Sequence, residues 1–84
     1  MVISGQVQGV GFRWFTVDAA TREGATGWVK NLPDGRVEVF VEGDLEAVTR
    51  VERALRRGPS RARVEKVWVA DEDPSGAYAT FSIT

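Results

Sequence analysis

The sequence predicts an α+β sandwich, with two helices on one face of a mainly antiparallel sheet. Three observations lead there: the periodic segments fall in the order β-α-β-β-α-β-β, one run alternates valine with polar residues, and two runs have helical spacing with clear stop signals. This is the ferredoxin-like, or split βαβ, plan with a further C-terminal strand.

The opening "VIS" is a short strand, because only Met1 to Ser4 precede Gly5; few ladder bonds and a modest stability cost are expected from it. Next comes "GQVQGVGFRWF", Gly5 to Phe15, with three glycines and an arginine in one run. Phe12, Phe15, Thr16 and Ala19 then recur at helical spacing, and Gly24 stands where a helix C-terminal glycine belongs. "ATGWVKN" is a strand through Asn31, and "LPDG", Leu32 to Gly35, is a turn that makes a hairpin with "RVEVFVE". There Val37, Val39 and Val41 share one face, and Arg36, Glu38, Phe40 and Glu42 the other. A second helix starts at an Asp44 N-cap with Glu46 in its first turn. Its apolar stripe is Leu45, Val48, Val51 and Leu55; Arg56 and Arg57 suit its C-terminal dipole, and Gly58-Pro59 ends it. "ARVEKVWVA" and "AYATFSI" are the last strands, parted by a turn around Asp73 to Gly76. Trp28 and Trp68 are expected to be packing residues, and the arginines of the second helix a solvated face.

With 84 residues and no internal linker, residues 1–84 are expected to form one domain with a thin core. Eleven Lys and Arg against twelve Asp and Glu give a net charge of −1, so no basic field is available for a polyanion and nucleic acid is not an expected partner. No apolar run reaches the roughly 20 residues of a membrane span, and no secretory leader is recognisable, so a cytoplasmic monomer is expected. The chain has neither Cys nor His. That removes disulfides, thiolate nucleophiles, imidazole bases and ordinary zinc sites, and no metal or cofactor is expected.

The glycine run is neither a P-loop, which would end in Gly-Lys-Ser/Thr, nor a dinucleotide fingerprint. It is also no RNA-binding RRM motif: no basic residue precedes Gly9, Val10 stands at the first aromatic position, and the run follows the first strand and not the third. Placed between a strand and a helix start, it can aim the backbone N–H groups of Gln8, Gly9, Val10, Gly11 and Phe12 at one anion, with the Arg13 fork beside them. A tight turn with a solvated Arg13 is the other reading of the same residues. Cysteine phosphatases close a similar loop as Cys, five residues, Arg; here "VQGVGFR" puts Val7 at the nucleophile's place, which disfavours a covalent phosphoenzyme.

"GQVQGVGFR", "GWVKN", "PDGRVEV..EG" and "GP..A.V" together resemble the acylphosphatase family over almost the whole chain. The resemblance implies cofactor-free hydrolysis of a small-molecule acyl phosphate to carboxylate and inorganic phosphate, the latter also an inhibitor. It further implies that Arg13 binds the phosphoryl group and Asn31 positions the attacking water. Those roles are physically reasonable: an acyl phosphate has a good leaving group, so positioning and charge stabilisation suffice, and a neutral amide both accepts from and donates to water. Two alternatives stay open on sequence: a non-catalytic anion-binding module, and a fragment of a carbamoyl-phosphate-handling hydrogenase-maturation protein, whose zinc-finger cysteines have no counterpart here.

Overall fold

The computed structural model describes residues 1–84. Its elements are β1 (Val2–Gln6), α1 (Phe12–Arg22), β2 (Thr26–Asn31), β3 (Val37–Glu42), α2 (Leu45–Arg57), β4 (Arg63–Trp68) and β5 (Phe81–Ile83). The five strands form one sheet in the order β4-β1-β3-β2-β5, antiparallel except for the β2–β5 pair. The expected α+β architecture, including the added C-terminal strand, is therefore present.

The core lies between the sheet and the helices. Ile3, Val29, Val37, Val39 and Phe81 meet Phe12 and Ala20 of α1 and Val51 and Leu55 of α2, all buried. The α1 seam is Phe12, Thr16 and Ala20, one helical turn apart, with Phe15 and the expected Ala19 only partly covered. Thr16 can be buried because its hydroxyl donates to the Phe12 carbonyl at 2.9 Å. In α2, Asp44 caps the helix by accepting from the Ala47 N–H at 2.8 Å. Leu45 leaves the expected stripe: it is 82% exposed, and Ala47 takes the buried place. As the first helical residue it sits ahead of the turn that packs on the sheet.

Strand ends depart from the sequence reading for one common reason, the presence or absence of a partner. β1 runs on to Gln6 because β4 pairs with it through Arg63, across an irregularity at Ser4/Gly5. Gly5 (φ 125°) is required there, since a Cβ would lie 2.0 Å from the Arg63 carbonyl oxygen. β4 stops at Trp68, opposite Val2, and residues 69–80 are not strand although their pattern continued. Trp68 is 42% exposed, with Lys66 and Arg36 over its ring. Trp28 does pack, stacked at 6.0 Å on Phe40 on the sheet face away from the helices.

Candidate active site

β1 and β2 both deliver their C-terminal ends to the same end of the sheet, since Ile3 and Asn31 each pair with Val37. The loop after β1 and the turn after β2 are thus neighbours. Val7 is fully buried and anchors the loop in the core. Beyond it Gly9 (φ 73°) and Gly11 (φ 79°) take left-handed conformations, and Gly11 is the N-cap of α1, with no side chain capping the helix. The N–H groups of Phe12, Arg13 and Trp14 have no intrahelical acceptor. None of the backbone bonds made outside regular structure uses an N–H from Gln8 to Trp14. A row of free donors at a helix start, beside open space at both glycines, is an anion cradle in its chemistry.

Arg13 lies in the first turn of α1, exposed, without an ion pair or hydrogen bond within the protein. It borders a shallow cleft with Trp14, Val17, Phe81, Ser82 and Ile83. Asn31 ends β2, half-buried, on the same side of the strand as buried Val29. Its Oδ1 is the one buried side-chain polar atom in the protein without a hydrogen-bond partner. A buried acceptor left unpaired by the protein is suited to a donor from outside, such as water.

Sequence reasoning named Gln8 only for its backbone N–H, and the side chain does more. Gln8 Nε2 donates to the Leu32 carbonyl at 2.8 Å and to the Arg36 carbonyl at 3.0 Å, tying the loop to both sides of the hairpin turn that follows Asn31. The signal was a long amide inside a glycine run, where neither turn geometry nor anion binding needs one. Trp14, 72% exposed next to Arg13, was also passed over. At the turn, Asp34 accepts from the Arg36 N–H at 3.1 Å and from its Nε at 2.7 Å; the N–H bond, then the guanidinium, hold the carboxyl below its ordinary range.

Comparison with known proteins agrees over the full length. The Acylphosphatase family model matches residues 1–83. An acylphosphatase of Syntrophobacter fumaroxidans is 49% identical over 82 residues, 98% of this chain and 84% of that protein. The crystal structure of acylphosphatase from Bacillus subtilis superposes with a TM-score of 0.95 at 36% identity, covering 99% of this chain and 92% of that one. Full-length HypF, in its phosphate- and nucleotide-bound form, matches with a TM-score of 0.84 at 28% identity, covering 99% of this chain and only 11% of that one.

Proposed function

The chain belongs to the acylphosphatase family, and on that premise we propose that residues 1–84 act as one cytoplasmic, monomeric domain that hydrolyses acyl phosphates by direct attack of water. The observation that carries the reading is the juxtaposition at one end of the sheet of a free N–H cradle and the unpartnered Asn31 Oδ1. In this reading the cradle from Gln8 to Phe12 and the Arg13 guanidinium hold the phosphoryl oxygens, where fixed donors stabilise charge without reorganising. Asn31 accepts a hydrogen bond from the attacking water and points its lone pair at phosphorus. As the new P–O bond forms, the P–O bond to the acyl group breaks and its electron pair leaves on the carboxylate. The water's proton passes to a phosphoryl oxygen of the substrate. No protein nucleophile is required, and Val7, at the place a cysteine would hold, is buried and inert. In this reading the cradle and Arg13 supply the positive field that offsets the phosphoryl charge.

The test is release of phosphate from benzoyl phosphate, compared with carbamoyl phosphate and p-nitrophenyl phosphate. Turnover of benzoyl phosphate with little p-nitrophenyl phosphate hydrolysis is expected, and acid quenching with phosphorus-labelled substrate should leave the protein unlabelled. No turnover of any acyl phosphate would sink the reading in favour of a non-catalytic anion-binding module; preference for carbamoyl phosphate would favour the maturation-protein alternative. Labelled protein would overturn direct water attack.

A further inference from the structure

β5 closes one side of the sheet, paired with β2 alone, and α1 packs across it. The shallow cleft between them is walled by Arg13, Trp14 and Val17 on the helix and by Phe81, Ser82 and Ile83 on the strand. Trp14 is the residue there that the fold does not account for. Of the three tryptophans, Trp28 stacks on Phe40 and donates its indole N–H to the Tyr78 hydroxyl at 3.2 Å, and Trp68 lies against Lys66 and Arg36. Trp14 makes no aromatic pair and no cation–π contact, and is 72% exposed. A single exposed aromatic is ordinary on a protein surface, so what marks this one is its position beside Arg13.

Arg13 joins the cleft to the cradle. It follows Phe12, the last cradle residue, and carries the only charge on the cleft wall. A group covalently attached to a phosphoryl held by that guanidinium therefore starts at the mouth of the cleft. Beyond Arg13 the lining is indole, valine, phenylalanine and isoleucine, with the Ser82 hydroxyl as its one neutral polar group. No second cation is there to pair with an anionic acyl chain. We propose that this cleft is the acyl subsite and Trp14 its specificity-determining residue, selecting acyl phosphates whose acyl group is uncharged and apolar, aromatic above all. The proposal rests on acyl phosphate hydrolysis at the cradle and adds which acyl group is taken. The ring of such a group lies against the indole and Val17, where offset or edge-to-face contact adds to the apolar area buried. Because that contact is made equally before and in the transition state, it lowers KM and leaves kcat to the cradle and Asn31.

The test compares benzoyl phosphate with acetyl phosphate, and also their non-hydrolysable counterparts, phenacylphosphonate and acetonylphosphonate, in which a methylene replaces the bridging oxygen. The aromatic member of each pair should be favoured at least about tenfold, in kcat/KM for the phosphates and in calorimetric affinity for the phosphonates, as burial of a ring against apolar walls requires. Succinyl phosphate, with a second carboxylate, should be a poorer substrate than benzoyl phosphate. Trp14→Ala changes an exposed side chain, so the Tm should hold, and the aromatic preference should fall about tenfold through the KM of benzoyl phosphate and not its kcat. Trp14→Phe keeps a ring and should restore most of the preference. Equal kcat/KM for benzoyl and acetyl phosphate, a preference that survives Trp14→Ala, or a loss in kcat at unchanged KM would each overturn the proposal. Turnover of both acyl phosphates without preference sinks the subsite and leaves hydrolysis standing, whereas the phosphonate affinities decide the subsite even in a protein that turns over neither.

Discussion

The Gln8 side chain donates to the Leu32 carbonyl at 2.8 Å, joining the loop of the cradle to the residue that follows Asn31 in the chain. It bonds Arg36 as well, so one amide sets how the two halves of the site face each other. Gln8→Ala should therefore lower kcat by roughly 10- to 100-fold, the cost of small misplacement, while phosphate affinity stays near wild type. Gln8→Glu turns a carboxylate toward two carbonyls and can donate only when protonated, so its activity relative to wild type should recover as the pH falls. Equal losses in phosphate affinity and kcat, with a wild-type pH profile, would mean that Gln8 only shapes the cradle.

Arg13 and Asn31 should separate kinetically. Arg13→Ala removes a contact to charge already present in the bound substrate, so it should weaken phosphate binding and lower kcat together. Asn31→Ala should keep KM and lower kcat on the order of 100-fold or more, as loss of a positioned hydrogen bond does. A folded Asn31→Ala protein with near wild-type kcat would remove Asn31 from the water's path.

Inorganic phosphate should compete with substrate, because both would occupy the N–H groups at the start of α1 and Arg13. Steady-state inhibition kinetics check this, and a purely noncompetitive pattern would place the anion elsewhere. Activity should also survive excess EDTA; loss on chelation that Mg²⁺ restores would require a different source of charge.

Gly27→Ala should destabilise the sheet without touching the site. Gly27 is buried at φ 136°, and a Cβ there would lie 1.9 Å from the Phe40 carbonyl oxygen, a backbone atom that cannot rotate away. The cost should be on the order of 3 kcal/mol, as expected for backbone strain with overpacking. Urea unfolding measures it, and wild-type stability would refute the close approach.

Two carboxylates set an acid limb. Hydrogen bonding keeps Asp34 low through Arg36, and Glu42 low through the Ser75 hydroxyl and the Ser75 and Gly76 N–H groups. Both pKa values are depressed on folding, so the unfolded chain binds more protons in this range. Their contribution is present above the unfolded values, about 3.9 and 4.3, and is lost as pH falls through the folded ones. Asp34→Asn with Glu42→Gln should flatten the fall in stability below about pH 5. An unchanged slope in urea melts at successive pH values would show that other groups govern it.

The elements were legible because each carries its own local signal: the valine alternation of β3, the Asp44 cap, the glycines before α1. Boundaries were less so, since Val69 and Ala70 look like strand by composition but have no partner strand, and Gly5 looks like loop until β4 is seen pressing on it. Leu45 shows the limit of a periodic stripe, which says which residues are apolar and not where packing begins. At the site, Arg13 and Asn31 were nameable from motif resemblance, and the fold supplies the reason they lie at one end of the sheet, both strands pairing near Val37. The Gln8 bridge was invisible because its acceptors are carbonyls 24 and 28 residues away.

The placement of β1 between β3 and β4 also has a kinetic consequence. Val2 pairs with Trp68, so the first strand synthesised gains its second neighbour only when most of the chain exists. The β2–β3 hairpin closes through a short turn at little entropic cost, whereas the β1–β4 ladder must close a far longer loop. Folding should then nucleate in the hairpin and the helices that cover it, with β4 docking late. Truncations at β4 should show as faster unfolding, with refolding rates nearly unchanged.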